Sequence, residues 1–157
     1  MDLVEERLRS LGLQLPQAVG TRFSYQPILI DGNTAYVAGQ LAKLPGDVVL
    51  HPGIVGLSVD FDDACKSARA CALQALAWLQ VELGTLDRVR RVIRLNAFVR
   101  VGSGGFDQMS EVINAASDTF VTAFGTAGQH VRSVLGVADL PRHACVMIDL
   151  TVAIRAD

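Results

Sequence analysis

The sequence predicts an α+β subunit in which two long helices cover one face of a single sheet. Three observations carry that expectation. A run from about Asp60 to Leu83 places Ala64, Ala68, Cys71, Ala72, Ala75, Leu76, Leu79 and Leu83 on one face at helical spacing. Residues 88–101 alternate in the manner of a strand, with Val89, Ile93, Leu95, Ala97, Val99 and Val101 on one side and Arg90, Arg94, Asn96 and Arg100 on the other. The last stretch, 143–155, alternates too. Ala144, Val146, Ile148, Leu150, Val152 and Ile154 face one way, and His143, Cys145, Met147, Asp149, Thr151 and Ala153 the other.

The remaining elements fall around these. Asp2 can cap a short N-terminal helix with an apolar face of Val4, Leu8 and Leu11, ended by Gly12. A strand over 23–30, the turn residues Asp31–Gly32–Asn33 and a second strand, TAYVAGQ, predict a hairpin. Residues 41–59 carry Pro-Gly and Gly-Asp turn signals and read as a mostly irregular excursion. The alanines of the 60–83 helix let it lie close to a sheet, and Gly84 ends it. Arg91 interrupts the apolar side of strand 88–101 near its start, where it can reach water. A second long helix spans about 106–123 and ends at Gly125, and a strand follows at 132–138. The order is strand, strand, helix, strand, helix, strand, strand, which suits helices on one face of one sheet. The other face then carries Met147, Cys145, Ala153, Val134 and Ala138 among its polar residues. Left to water, such a face is a liability, and packing several copies around an axis would bury it.

Composition bounds the function. At 157 residues the chain fits one domain, 1–157, with residues 1–20 as an N-terminal extension. Half of the residues are hydrophobic and mean hydropathy is +0.34, yet no apolar run approaches the roughly 20 residues of a membrane helix. That surplus points to burial between subunits. Charged residues stand where a signal peptide would need an apolar core, so the expected location is cytoplasmic. Net charge is −2, and the only basic cluster is RVRRVIR at 88–94, which argues against a nucleic-acid partner. Cys65, Cys71 and Cys145 are odd in number and lack CxxC spacing; neither a disulfide framework nor a zinc site is supported. His51, His130 and His143 show no metal-ligand spacing, and no cofactor is expected.

Four stretches, FSYQP (23–27), GNTAYVAGQL (32–41), INAASDTF (113–120) and RSVLGVADLP (132–141), give the chain a resemblance to the RidA/YjgF family, also called reactive intermediate deaminases or endoribonuclease L-PSP. LGLQLP and GQHVRS resemble a longer, chorismate-mutase-like branch. The resemblance implies a chorismate-mutase-like fold of the bacillus type with a single mixed sheet. It also implies a homotrimer with ligand clefts between subunits. The implied reaction is hydrolysis of enamine or imine intermediates to a 2-keto acid and ammonia.

Carried over residue by residue, the resemblance makes Arg132 the group that holds the substrate carboxylate, to which its planar fork is suited. Tyr25 matches an aromatic residue lining the cleft, Gly39 a glycine whose backbone faces the ligand, and Asn114 a helix asparagine near it; Gln40 is a weaker candidate. Each also has a plainer reading, as a strand residue, an edge aromatic, a packing glycine or a solvated helix residue. Three positions depart from the pattern. The family's glutamate, six residues beyond the LP proline, is Met147 here, and a thioether cannot move a proton. A frequent cysteine is Val134, and a frequent serine is Ala38. Asp149, on the same strand face as Met147 and about 7 Å further along, is the one carboxylate that could compensate; pairing or solvation is its plainer role. His130 lies two residues before Arg132 and titrates in a useful range, though a partly buried cap is the plainer reading.

Three functions follow as expectations: an imine/enamine deaminase for small 2-imino acids, a non-catalytic trimer that binds a small carboxylate-bearing metabolite, and, with least support, an endoribonuclease. The second is favoured by the apolar Met147, Val134 and Ala38. The third rests on Arg90, Arg94 and Arg100 alone.

Overall fold

In a computed structural model, which describes residues 2–156, Asp2 opens helix α1 (Leu3–Ser10) by accepting hydrogen bonds from the backbone N–H groups of Val4 and Glu5. The same carboxylate accepts from Leu86 N–H at 2.7 Å, and Asp87 in turn accepts from Leu3 and Val4. Two acidic side chains thereby tie the helix N-terminus to the turn at Leu86–Arg88 that follows the first long helix. Val4 and Leu8 are buried as predicted, but Leu11 is exposed at the C-cap.

Strands β1 (Ile28–Asp31) and β2 (Thr34–Leu41) form the expected hairpin across Gly32, which adopts positive φ. The first strand is shorter than predicted. Tyr25 N–H bonds back to the Phe23 carbonyl, a tight bend that keeps residues 23–27 out of the ladder. The excursion after β2 contains a small hairpin, β3 (Lys43–Leu44) and β4 (Val48–Val49), turning through Gly46 and Asp47 at positive φ.

Helix α2 (Phe61–Leu83) matches its predicted span and face. Asp60 caps Asp63 N–H at 2.8 Å, Gly84 closes it at φ 78, and all eight predicted face residues are buried. It is followed by β5 (Val89–Arg100), α3 (Met109–Phe124), β6 (Val131–Val137) and β7 (Val146–Ile154). The five long strands make one sheet in the order β1-β2-β7-β5-β6. Only β5 and β6 run parallel, because α3 carries the chain back between them. The sheet is therefore mixed, as the resemblance implied. Leu76, Leu79, Ile113, Phe120, Ile148 and Leu150 are fully buried between helices and sheet, each such side chain contributing about 1.5–3 kcal/mol by its removal from water.

The predicted alternation fails in two places. In β5, register shifts between Val89 and Arg91 and between Val92 and Arg94 each insert an extra residue opposite β7. Val92 is buried and Ile93 exposed, the reverse of the predicted pattern, and Arg91 reaches solvent through the first shift. Before β7, the turn at 141–143 holds Arg142 and His143 at positive φ. Cys145 therefore joins the core against α2, and Ala144 lies in a separate cluster with Leu41 and Leu140.

The sheet face away from the helices is built of rows that the register defines. One row is Leu29, Tyr36, Thr151, Arg94 and Val131; another is Leu41, Met147, Phe98 and Leu135. Leu29, Tyr36, Val131 and Leu135 are exposed. The half-apolar open face expected from sequence exists, with a membership different in part. Val134 packs against the core under α3, and Cys145 points to the helices.

Candidate functional site

Arg132 is the second residue of β6, beside Leu95 of β5. Leu95 is buried under the helices, so Arg132 extends on that side, over α3. Its Nη1 donates to Ser117 Oγ at 3.0 Å and its Nη2 to the Ser110 carbonyl at 3.1 Å. Two of the guanidinium's five N–H donors are thus used, and among the described residues the rest of its fork is free. Among the described residues, no carboxylate lies within ion-pair distance of it.

A histidine completes this cluster. His130 Nδ1 lies 2.7 Å from the Gly128 carbonyl, and its Nε2 lies 2.9 Å from Ser117 Oγ. A carbonyl only accepts, so Nδ1 carries the proton; the neutral ring then offers Nε2 as the acceptor for the Ser117 hydroxyl. Ser117 donates to His130 and accepts from Arg132 in one chain of bonds. Phe120 packs edge-on to the imidazole with centroids 6.0 Å apart. Ser110, Asn114 and Ser117 are spaced four and three residues apart on α3 and share one stripe. Asn114 is therefore beside Arg132, exposed as its plainer reading had it. Ser117 went unnoticed in the sequence; the polar stripe within INAASDTF was the available signal.

The other candidates gather elsewhere. Tyr25, Gly39, Gln40 and Met147 line one cavity of about 670 Å³ with Arg22, Phe23, Trp78 and Arg142. Gly39 lies at the irregularity of β2 between Val37 and Gln40. A Cβ there would stand 2.8 Å from the Met147 sulfur, so the thioether packs directly on bare backbone. Gln40 is buried and spends an N–H on the Ala38 carbonyl at 2.9 Å. At the rim, Arg142 and Lys43 each bind the Asp47 carboxylate at 3.0 Å. The Lys43 hydrogen bond and charge, followed by Arg142, hold the Asp47 carboxyl below its usual range.

Within one chain these two groups do not meet. Met147 and Arg132 are two strands apart, about 10 Å across the sheet and about another 10 Å along it, and on opposite faces, since Met147 shares its row with Phe98 and Leu135 whereas Arg132 pairs with Leu95. Val134, two residues beyond Arg132 and on the same side of β6, is half-buried and packs against the core. Asp149 lies on the open face, where it accepts a 2.9 Å hydrogen bond from Asn96 Nδ2, and it does not line the cavity. Arg100 is paired with Asp139, which leaves Arg90, Arg91 and Arg94 as the exposed arginines of β5. Burial pushes the Cys71 thiol well up and raises those of Cys145 and Cys65, which disfavours the thiolate at all three. Among the described residues no cluster of His, Cys, Asp or Glu could hold a metal ion, and no helix is long and apolar enough to cross a membrane.

The model of the family described as "YjgF/chorismate_mutase-like, putative endoribonuclease" matches residues 5–153. The chain belongs to the RidA/YjgF family. Protein TCP17 of Trypanosoma cruzi is 40% identical to it over 154 residues, covering 97% of this chain and 94% of that protein. Among solved structures, protein Atu1372 of Agrobacterium tumefaciens is 39% identical, with a TM-score of 0.88, covering 98% of this chain and 93% of the other. A Shewanella oneidensis protein described as a "putative endoribonuclease" is 26% identical, with a TM-score of 0.91, covering 96% and 99%. In this RidA/YjgF chain the family's sheet and helices thus present a tethered arginine on one face and a cavity floored by Met147 on the other.

Proposed function

We propose that the protein is a carboxylate-anchored deaminase of small 2-imino acids, working as a homotrimer in which Arg132 of one copy faces the Tyr25, Gly39 and Met147 cavity of the next. The observation that carries this reading is Arg132 itself, an arginine with no carboxylate partner among the described residues yet fixed by two hydrogen bonds to α3. An arginine serving only as a strand end would be solvated and mobile or paired with a surface acid. The exposed rows of the open face support the assembly, since Leu29, Tyr36, Val131 and Leu135 gain burial when another copy covers them.

In this reading the free edge of the guanidinium takes the carboxylate through two parallel N–H bonds. The imine carbon, one bond beyond, is then held for attack by water. Binding without turnover is the second reading. It is favoured by Met147, which puts an apolar thioether where an acid would stand. Such a cleft suits a ligand with one anionic end and an apolar body.

The test supplies 2-iminobutanoate from 2-aminobutanoate with an amino-acid oxidase and follows keto-acid release, while calorimetry follows binding of 2-oxobutanoate. The reading expects faster release with the wild type and a trimer by sedimentation. In Arg132→Ala, two charge-assisted bonds are lost at about 1.5 kcal/mol each, so affinity falls about 100-fold. Binding without acceleration selects the second reading. Unchanged affinity in Arg132→Ala overturns both.

A further inference from the structure

The deaminase reading leaves a proton unaccounted for, because Met147 can neither take nor give one. The one titratable group bonded into the Arg132 cluster is His130. We infer that Ser117 and His130 form the proton relay of this site, with the Ser117 hydroxyl touching the attacking water and His130 storing its proton. This deepens the proposed deaminase function and rests on it.

Three features support the relay. The bond from Nδ1 to the Gly128 carbonyl fixes the tautomer that leaves Nε2 basic and aimed at Ser117 Oγ, 2.9 Å away. The same Oγ is 3.0 Å from Arg132 Nη1, which places it within one water of a substrate whose carboxylate lies on that guanidinium. The edge of Phe120 packs against the ring and helps to hold it. The groups facing the imidazole are thus Ser117 and Phe120 of α3, the Gly128 carbonyl and, through Ser117, Arg132 of β6. Glu111 and Asp118 of α3 are exposed and make no hydrogen bond with the ring.

The step balances without an oxidant or reductant. Water oxygen bonds to the carbon of the protonated imine as the C=N π pair moves to nitrogen. One water proton passes to Ser117 Oγ while the Ser117 proton passes to His130 Nε2. The imidazolium returns a proton by the same path to the amine nitrogen of the carbinolamine. The C–N bond then breaks with its pair leaving on ammonia, and the hydroxyl proton departs as the C=O bond forms. One water is consumed, and a 2-keto acid, ammonia and a proton are produced.

The experiment measures kcat/KM for 2-iminobutanoate against pH in the wild type, His130→Gln, Ser117→Ala and Ser117→Thr, with 2-oxobutanoate affinity measured alongside. The relay predicts a wild-type rate that rises with pH as a single base loses its proton. His130→Gln, which can accept a hydrogen bond but not a proton, loses that rise and about 10²–10⁴-fold in kcat/KM, with 2-oxobutanoate affinity within about 3-fold. Ser117→Thr keeps the hydroxyl and most of the rate; Ser117→Ala does not. A His130→Gln enzyme that retains the wild-type pH profile overturns the relay and leaves the deaminase reading standing. So does a loss of rate matched by an equal loss of 2-oxobutanoate affinity, since His130 would then only position Arg132. A wild type with no activity overturns the deaminase reading and the relay together.

Discussion

Gly128 is where the fold and the candidate site depend on the same atoms, and replacing it with alanine tests both. It ends the 3₁₀ turn between α3 and β6, and its carbonyl holds His130. A Cβ at this position would lie 2.2 Å from the Phe120 carbonyl oxygen, 2.6 Å from the Phe120 carbonyl carbon and 2.8 Å from Val121 Cα. These are backbone atoms of the last turns of α3, so no rotamer change relieves the contact. The turn must retreat by roughly 1 Å, at a cost near the upper end of the roughly 1–3 kcal/mol typical of overpacking. For a chain of this length each kcal/mol moves Tm by about 2–4 °C, which predicts a fall of about 6–12 °C. Gly104→Ala is the control, because a Cβ there meets nothing within 4 Å. Both are compared with wild type by thermal unfolding at one protomer concentration, since oligomer stability depends on it. Gly128→Ala melting within about 1 °C of wild type, a shift worth less than about 0.5 kcal/mol, would refute the close approach of the turn to α3.

The register shifts of β5 are tested by a pair of substitutions: Val92→Ala should cost about 2 kcal/mol in denaturant unfolding because its side chain is buried, whereas Ile93→Ala should cost well under 1 kcal/mol. The opposite ranking would restore the strict alternation that the sequence suggests. Asp47 makes a pH prediction. Its folded pKa lies below its unfolded value, so its contribution is present above the ordinary aspartate pKa of about 3.9 and is lost as pH falls through the folded one. Melting temperature should therefore fall more steeply for wild type than for Asp47→Asn as pH drops below about 4, and parallel curves would show that the Lys43 and Arg142 pairs do not couple to folding.

Most of the fold was legible because the apolar periods were long. Eight face residues over 23 positions leave α2 no alternative face, and five aliphatic residues at alternate positions fix β7 from Val146 onward. What failed was local. Ile93 and Val92 are neighbours of nearly equal hydrophobicity, so periodicity could not show which one a bulge would turn inward. Tyr25 sits in a stretch rich in strand formers, yet the Tyr25–Phe23 backbone bond bends it out of the sheet. Ala144 and Cys145 exchanged sides because Arg142 and His143 take left-handed conformations that side-chain identity does not announce.

The candidate site shows the same division between what spacing can and cannot convey. Arg132 stood out in the sequence because an arginine heads an otherwise apolar strand, and α3 tethers it in the structure. The count from Leu140–Pro141 lands on Met147, but counting from a motif carries no information about which other residues share its face. In the folded chain Met147 and Arg132 lie on opposite faces of the sheet. If the two share one ligand, they must come from different copies, and the exposed rows of the open face supply the surface on which copies would meet. In the proposed relay, the proton-bearing partner that the sequence sought beyond Pro141 stands two residues before Arg132. There the Gly128 carbonyl and Ser117 hydroxyl give His130 a defined tautomer and a direction. Such a role is set by hydrogen bonds from a helix more than ten residues away, which is why a histidine so near the arginine could look like a plain cap in the sequence and become a candidate base in the structure.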